Sequence, residues 1–287
     1  MRNVLHVGRL IYRFRRKFGH GLYTAWRRDV FRWRILKTEP VYGLTDGTCE
    51  VHALTCDRDW LDLIWSLKSL FAVCEYRFRV CIHEDGSVPP HGITALRAHF
   101  PDARLILRDE ADQAMRAKLK GYPRCQSLRD TNVLSLKVFD FANYLESDRM
   151  MLLDCDILFF KRPAVLLQRI TDPSYPCNSL NKDWAMGYSV DASVAQKMLP
   201  FDLQLFINSG LGLIHRRSYE VNSFEEWLEL PEILSHSHRI EQTLVGLACS
   251  RFGHEFLPKE YDVRLTRTEP SQVVKHYTGP IRHLMYR

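Results

Sequence analysis

Hydrophobic and polar positions follow two different rules along this chain, and the change comes near residue 49. Before it, Val4, Val7, Ile11, Phe14, Phe18, Leu22 and Ala25 recur at helical spacing, opposite Arg2, Arg9, Arg13, Arg16, His20 and Arg27. That pattern predicts an amphipathic helix with a basic polar side, interrupted at Gly19-His20-Gly21. After it, short apolar runs alternate with helical patterns. Glu50–Cys56 reads as a strand, Trp60–Phe71 as a helix N-capped by Asp57 or Asp59, and Tyr76–Ile82 as a second strand. A helix at Gly92–Phe100 and a strand at Ala103–Leu107 follow. Strand, helix, strand, helix, strand predicts an α/β fold: one domain with a mostly parallel sheet flanked by helices. Ligands of such sheets bind beyond the carboxyl ends of the strands.

The second half is less regular. Residues 133–145 predict a helix with an apolar face of Leu134, Val138, Phe141, Ala142 and Leu145 and a polar stripe of Lys137, Asp140 and Tyr144. By pattern alone Lys137 is a solvated lysine; at a crevice edge it would neutralise phosphate. Leu203–His215 reads as a strand interrupted at Asn208-Ser209-Gly210, where a glycine marks a β-bulge or the close approach of a ligand or backbone. Ile240–Ala248 is a buried helix opening on Glu241-Gln242, which either caps the first turn or points into a site. His276 follows a short strand, and Gly279 permits a tight turn around phosphate.

Charge and composition narrow the picture. The chain has 287 residues and a net charge of +6, yet residues 1–37 hold eleven Lys/Arg against one acid, Asp29. The body is therefore mildly acidic, and the basic character belongs to an arm spanning residues 1–45, ahead of a domain at 46–287. A basic amphipathic arm suits an anionic membrane surface, where each cation adds roughly 1 kcal/mol, or simple packing on the domain. Its deletion (residues 1–37) is expected to abolish vesicle binding and leave the domain folded. Nucleic acid is not expected as a partner, because the body would repel the backbone and no nucleic-acid motif is present. No apolar run is long enough to span a membrane and no signal-peptide core is evident, so a cytoplasmic protein is expected, at most peripheral on the inner face of the cytoplasmic membrane. Eight cysteines lack any C-x-x-C pair, which points to reduced, mostly buried thiols rather than disulfides or a zinc site.

The densest chemical signal is Asp154-Cys155-Asp156, inside the apolar stretch Met150–Phe160. Read as one strand, positions i and i+2 face the same way, so both acids converge. Two such charges in a buried strand oppose folding unless a cation joins them. Mg²⁺ or Mn²⁺ takes carboxylate oxygens and leaves positions for phosphate oxygens, so the motif points to a metal holding a diphosphate.

In this order the segments resemble the retaining glycosyltransferases of family 8, the group of glycogenin and lipopolysaccharide galactosyltransferases, from about Val51 to Arg282. The resemblance implies a GT-A fold, a UDP-sugar donor and Mn²⁺ (or Mg²⁺). It implies that Thr55, Asp57 and Asp59 contact the nucleotide, and that Asp154, Asp156 and His276 hold the metal. Lys137, Gly279 and Arg282 would bind phosphate, while Asn208, Glu241 and Gln242 would lie beside the transferred sugar. Lys137 stands where the family has Arg, Arg282 where it has Lys, and Glu241 where it has Asp. The first two exchanges keep charge and alter its geometry, and the third lengthens the reach. The expected function is metal-dependent transfer of a sugar to a hydroxyl of a glycan or lipid-linked saccharide, with retention. Alternatives are a nucleotide-sugar-binding protein without transfer, or a nucleotidyltransferase of the same fold. The latter wants a Gly-rich phosphate loop after the first strand, which Thr55-Cys56-Asp57-Arg58-Asp59 lacks.

Overall fold

The computed structural model describes residues 18–43 and 47–287. Among the described residues, six strands form one mixed sheet in the order β3-β2-β1-β4-β7-β6. These are β1 (Cys49–Thr55), β2 (Arg79–Glu84), β3 (Arg104–Ile106), β4 (Arg149–Leu153), β6 (Ser179–Lys182) and β7 (Ile207–His215). The first four are mutually parallel, β7 runs antiparallel to β4 beside them, and β6 pairs antiparallel with β7 and so returns to the common direction. A second, two-stranded antiparallel sheet pairs β5 (Ile157–Phe159) with β8 (Val274–His276). The α/β expectation therefore holds.

The sheet is covered on both faces, so its strands are buried nearly throughout, their polar residues included. On β4, Met151 and Leu153 face one cluster with α2 (Trp60–Val73), whereas Met150 and Leu152 face another with α6 (Leu136–Tyr144) and α10 (Ile240–Phe252). Strand side chains alternate with a period of two, so this one strand divides the core. The remaining helices are α1 (Leu22–Asp29), α3 (Pro90–His99), α4 (Arg108–Lys118), α5 (Pro123–Thr131), α7 (Ala164–Thr171), α8 (Ala192–Met198) and α9 (Val221–Trp227).

Four expectations need correction. Met150–Phe160 is not one strand: β4 ends at Leu153, Asp154–Asp156 turn, and β5 enters the other sheet. The backbone switches partners there, Asp154 N–H donating to Gly210 O and Tyr277 N–H to Asp156 O. The strand expected from Leu203 begins only at Ile207, after Phe206 with a φ of 63°. The polar stripe of α6 is not solvated, because Lys137 and Asp140 are both buried in ion pairs. Finally, the arm is not separable at residue 37. Ile35 is part of the core, Trp65 Nε1 donates to Arg32 O, and Arg32 pairs with Asp62 at 3.1 Å, so deleting residues 1–37 cuts into the domain.

Much of the predicted basic helix falls in residues 1–17, outside the described residues. What is described of it is α1, beginning after Gly21 and packing near the C-terminal 3₁₀ helix Gly279–Tyr286, where His20 stacks on His283. Of the apolar face, Ala25 is buried whereas Leu22 is 73% exposed.

Candidate active site

The topology explains why distant residues meet. β4 ends at the carboxyl edge of the sheet, and antiparallel β7 begins there, so Asp154 and Asp156 face Asn208, Ser209 and Gly210. β8 pairs with β5 in the register Ile157↔His276, which sets His276 against the same turn. The amino-terminal turns of α6 and α10 supply Lys137, Glu241 and Gln242. Together with Asp59 and Arg282 these groups line one cleft of about 270 Å³.

At its floor His276 Nε2 lies 3.1 Å from Asp156 Oδ1 and 3.7 Å from Asp154 Oδ2. One ligand atom from each of the three residues falls within 4.8 Å of the others. The other imidazole nitrogen, Nδ1, is 3.0 Å from Asn208 Oδ1, and Asn208 Nδ2 donates to Asp183 Oδ2 at 2.9 Å. Asp183 thus orients the amide, whose oxygen must accept; Nδ1 then carries a hydrogen, and Nε2, which Asp156 and Asp154 favour protonated against the cost of burial, would give up its proton and offer its lone pair to a cation seated between the carboxylates. Two carboxylates and a neutral imidazole are a donor set that a hard divalent cation accepts. Gly210 makes room for it: a Cβ there would lie 2.3 Å from His276 Cε1.

Two cations face the acids. Lys137 Nζ sits 2.9 Å from Asp154 Oδ1 and 3.3 Å from Glu241 Oε1, and donates to Ser209 O. Burial opposes its charge, but Asp154 and Glu241 outweigh burial and raise its pKa. Arg282 donates to Asp156 Oδ2 at 2.7 Å and spans to Asp59 at 2.9 Å and Asp62 at 3.1 Å. Burial would raise the Asp156 carboxyl, yet His276 and Arg282 prevail and hold it well below the usual carboxylate range. Glu241 goes the other way: burial raises it more than Lys137 and Ser209 lower it. Gln242 closes the rim, its Oε1 3.4 Å from Asn208 Nδ2 and its Nε2 donating to Gly187 O.

Nine of the twelve predicted site residues therefore converge: Asp59, Lys137, Asp154, Asp156, Asn208, Glu241, Gln242, His276 and Arg282. Three do not line this cleft. Asp57 is exposed, its backbone N–H bonded to Ser87 Oγ, and Thr55 is buried within β1. Gly279 lies in a neighbouring cleft with Arg58 and His283, where it opens a 3₁₀ helix without positive φ, so the tight glycine turn is not formed. Asp59 occupies the N-cap of α2 without capping by its side chain, which goes to Arg58 and Arg282 instead.

Two residues escaped the sequence reading. Asp62, 1% exposed, takes Arg282, Arg32 and Tyr286. An acid inside Trp60-Leu61-Asp62-Leu63-Ile64 was its signal. Asp183, which aims Asn208, lies in a stretch with no readable period.

Comparison with protein-family models and with curated protein sequences gave no match. Solved structures do match. The galactosyltransferase LgtC, in complex with donor and acceptor sugar analogues, aligns at TM-score 0.51 and 15% identity over 80% of this chain and 87% of its own. The bifunctional glycosyltransferase WbbM gives 0.54 and 15%, over 84% and 47%. Mouse xyloside xylosyltransferase 1 gives 0.51 and 12%, over 84% and 99%. At these identities the likeness establishes the fold, which is GT-A.

Proposed function

We propose, from the premise of a GT-A fold, that this chain is a metal-dependent glycosyltransferase. It would move a sugar from a nucleoside diphosphate donor, UDP-linked, to an acceptor hydroxyl with retention. One observation carries the reading. Asp154, Asp156 and His276 come from segments 120 positions apart and present three metal-ligand atoms within 4.8 Å, at the carboxyl edge where such sheets bind ligands.

Asp154, Asp156 and His276 are the residues that would hold Mn²⁺ or Mg²⁺, a cation that when bound supplies Lewis-acid neutralisation of a diphosphate. The chain's own part is positional and electrostatic. The bond from the anomeric carbon to the diphosphate oxygen breaks, negative charge grows on the leaving group, and the acceptor oxygen takes its place as its hydroxyl proton passes to the departing diphosphate. Arg282 and Lys137 bring fixed positive charge to that edge, where preorganised donors stabilise such charge most effectively. Asn208 orients His276 and, with Gln242, offers amide groups to a sugar. Glu241 is held by Lys137 and Ser209 and is given no nucleophilic role. A second cleft of about 520 Å³ is lined by Ser237 and Ile240, adjacent in sequence to His238 and Glu241 of the first, and offers room for an acceptor.

The decisive measurement is Mn²⁺-dependent hydrolysis of a panel of UDP-sugars, followed by Asp156→Ala. Turnover that requires metal and falls by two or more orders of magnitude in the variant is the expected result (on the order of 10²–10³ for one lost electrostatic group). Hydrolysis by the variant at the wild-type rate, with or without Mn²⁺, sinks the assignment.

A membrane-associated acceptor fits the arm. Tyr23 and Trp26, 58% and 49% exposed, stand on α1 beside Arg27 and Arg28. Aromatic side chains with nearby cations suit an anionic interface. Replacing Leu22, Tyr23 and Trp26 together with serine in the full chain should reduce co-sedimentation with phosphatidylserine vesicles. Undiminished sedimentation rejects this surface.

A further inference from the structure

The catalytic reading leaves unused a buried polar cluster on the α6 face of the sheet. His52 of β1 stands opposite Cys81 of β2 in the strand register, with His83 two residues further on the same face. All three are at most 2% exposed. His52 Nδ1 is 3.2 Å from His83 Nε2, and Cys81 Sγ is 3.3 Å from that same Nε2. Two imidazoles and a thiol directing one atom each at a common point are uncommon in an apolar core.

Hydrogen-bond accounting gives the cluster a direction. His52 Nε2 lies 3.3 Å from Glu50 Oε2. Glu50 is itself anchored by the backbone N–H of Glu146, by the Ser147 hydroxyl and by Arg104. A carboxylate so engaged accepts, so Nε2 of His52 carries the hydrogen and Nδ1 presents a lone pair to His83 and Cys81. A carboxylate behind a histidine whose other nitrogen faces further donors is the arrangement that orients metal-ligating imidazoles.

We propose that His52 Nδ1, His83 Nε2 and the Cys81 sulfur form a site for one soft d¹⁰ metal ion, zinc or copper(I), with Glu50 as the positioning residue for His52. The spacing fits such an ion: bonds of about 2.0–2.1 Å to nitrogen and about 2.3 Å to sulfur, at tetrahedral angles, put the ligand atoms roughly 3.3–3.6 Å apart. Thiolate with imidazole selects zinc and copper(I) over the hard cations suited to Asp154 and Asp156. Binding converts the Cys81 thiol to thiolate, and its proton leaves to solvent. The ion would tie β1 to β2 beneath Phe141 of α6, whose ring lies 4.6 Å from that of His83, and so brace the helix that carries Lys137. The sequence conceals the site because its ligands come from two strands, as a lone histidine and a Cys-x-His pair.

The test is metal analysis of the full chain, expressed in zinc- or copper-supplemented medium and dialysed against EDTA. About one zinc or copper per chain should remain, as expected for a ligand set assembled by folding. Asp156→Ala should retain that ion, and Cys81→Ser should lose it at least about tenfold, which separates this site from the catalytic one. Should Cys81→Ser not fold, cobalt(II) loading of the wild-type chain decides. A thiolate-to-cobalt charge-transfer band supports the proposal, since carboxylate and imidazole cannot produce one. No other cysteine among the described residues belongs to such a ligand group. Absence of both retained metal and the cobalt band overturns it, and leaves a hydrogen-bonded core cluster. Retention of the ion by a folded Cys81→Ser overturns it equally.

Discussion

At the residue scale, the site depends on what two glycines omit. A Cβ on Gly210 would press on the His276 ring, and one on Gly187 would lie 2.1 Å from Gln242 Nε2. Gly210→Ala should therefore turn His276 out of line and weaken Mn²⁺ binding about 10–100-fold, the range seen when a ligand loses its orientation. Titration of Mn²⁺-dependent hydrolysis measures this. Gly187→Ala meets only the flexible end of Gln242, so it should leave the melting temperature nearly unchanged. Its kcat should fall on the order of a hundredfold through misplacement of that amide. An equal loss in stability would mean that Gly187 serves packing instead. These residues were only partly legible: Gly210 was noticed because it interrupts an apolar run, whereas Gly187 stands in sequence with no period to break.

At the element scale, the helix bearing Lys137 is fastened by a buried pair. Arg129 of α5 and Asp140 of α6 are each 1% exposed and meet through two hydrogen bonds, 3.0 and 2.7 Å long. Removing one partner strands a buried charge, so Arg129→Met should cost about 3–5 kcal/mol in chemical denaturation. The double variant Arg129→Met, Asp140→Leu should recover most of that loss, and no recovery would place the cost in packing rather than charge. Helical periodicity identified α6 correctly and misjudged its surroundings. Lys137 and Asp140 lie on what a solvated helix would show to water, and only the packing of α5, β7 and α10 around them makes both interior. Similarly, an apolar stretch of eleven residues became β4, a turn and β5, because the switch of hydrogen-bonding partner at Asp154 is made by strands distant in sequence.

For the whole molecule, acid should be the more damaging extreme. Burial lowers His254 from its ordinary 6.5 to about 4, with Arg169 adding to the effect. The folded protein thus keeps the imidazole neutral where the unfolded chain takes up a proton. The sign follows: the unfolded state binds more protons, so stability falls as pH drops from about 6.5 toward 4, by up to roughly 1.4 kcal/mol per unit from this residue. His254→Gln should flatten the curve of unfolding free energy in that window, and an unchanged slope would remove His254 from the account. By itself the sequence determined the α/β order of the body, the acid pair at a strand end and the uneven charge of the arm, because these are written in local period, spacing and composition. Only the tertiary structure decided that Asp154 and Asp156 flank His276, that Asp62 and Asp183 serve the site, and that His52, Cys81 and His83 share one point. Such convergence depends on strand order and register, which arise from contacts between segments that no local pattern encodes.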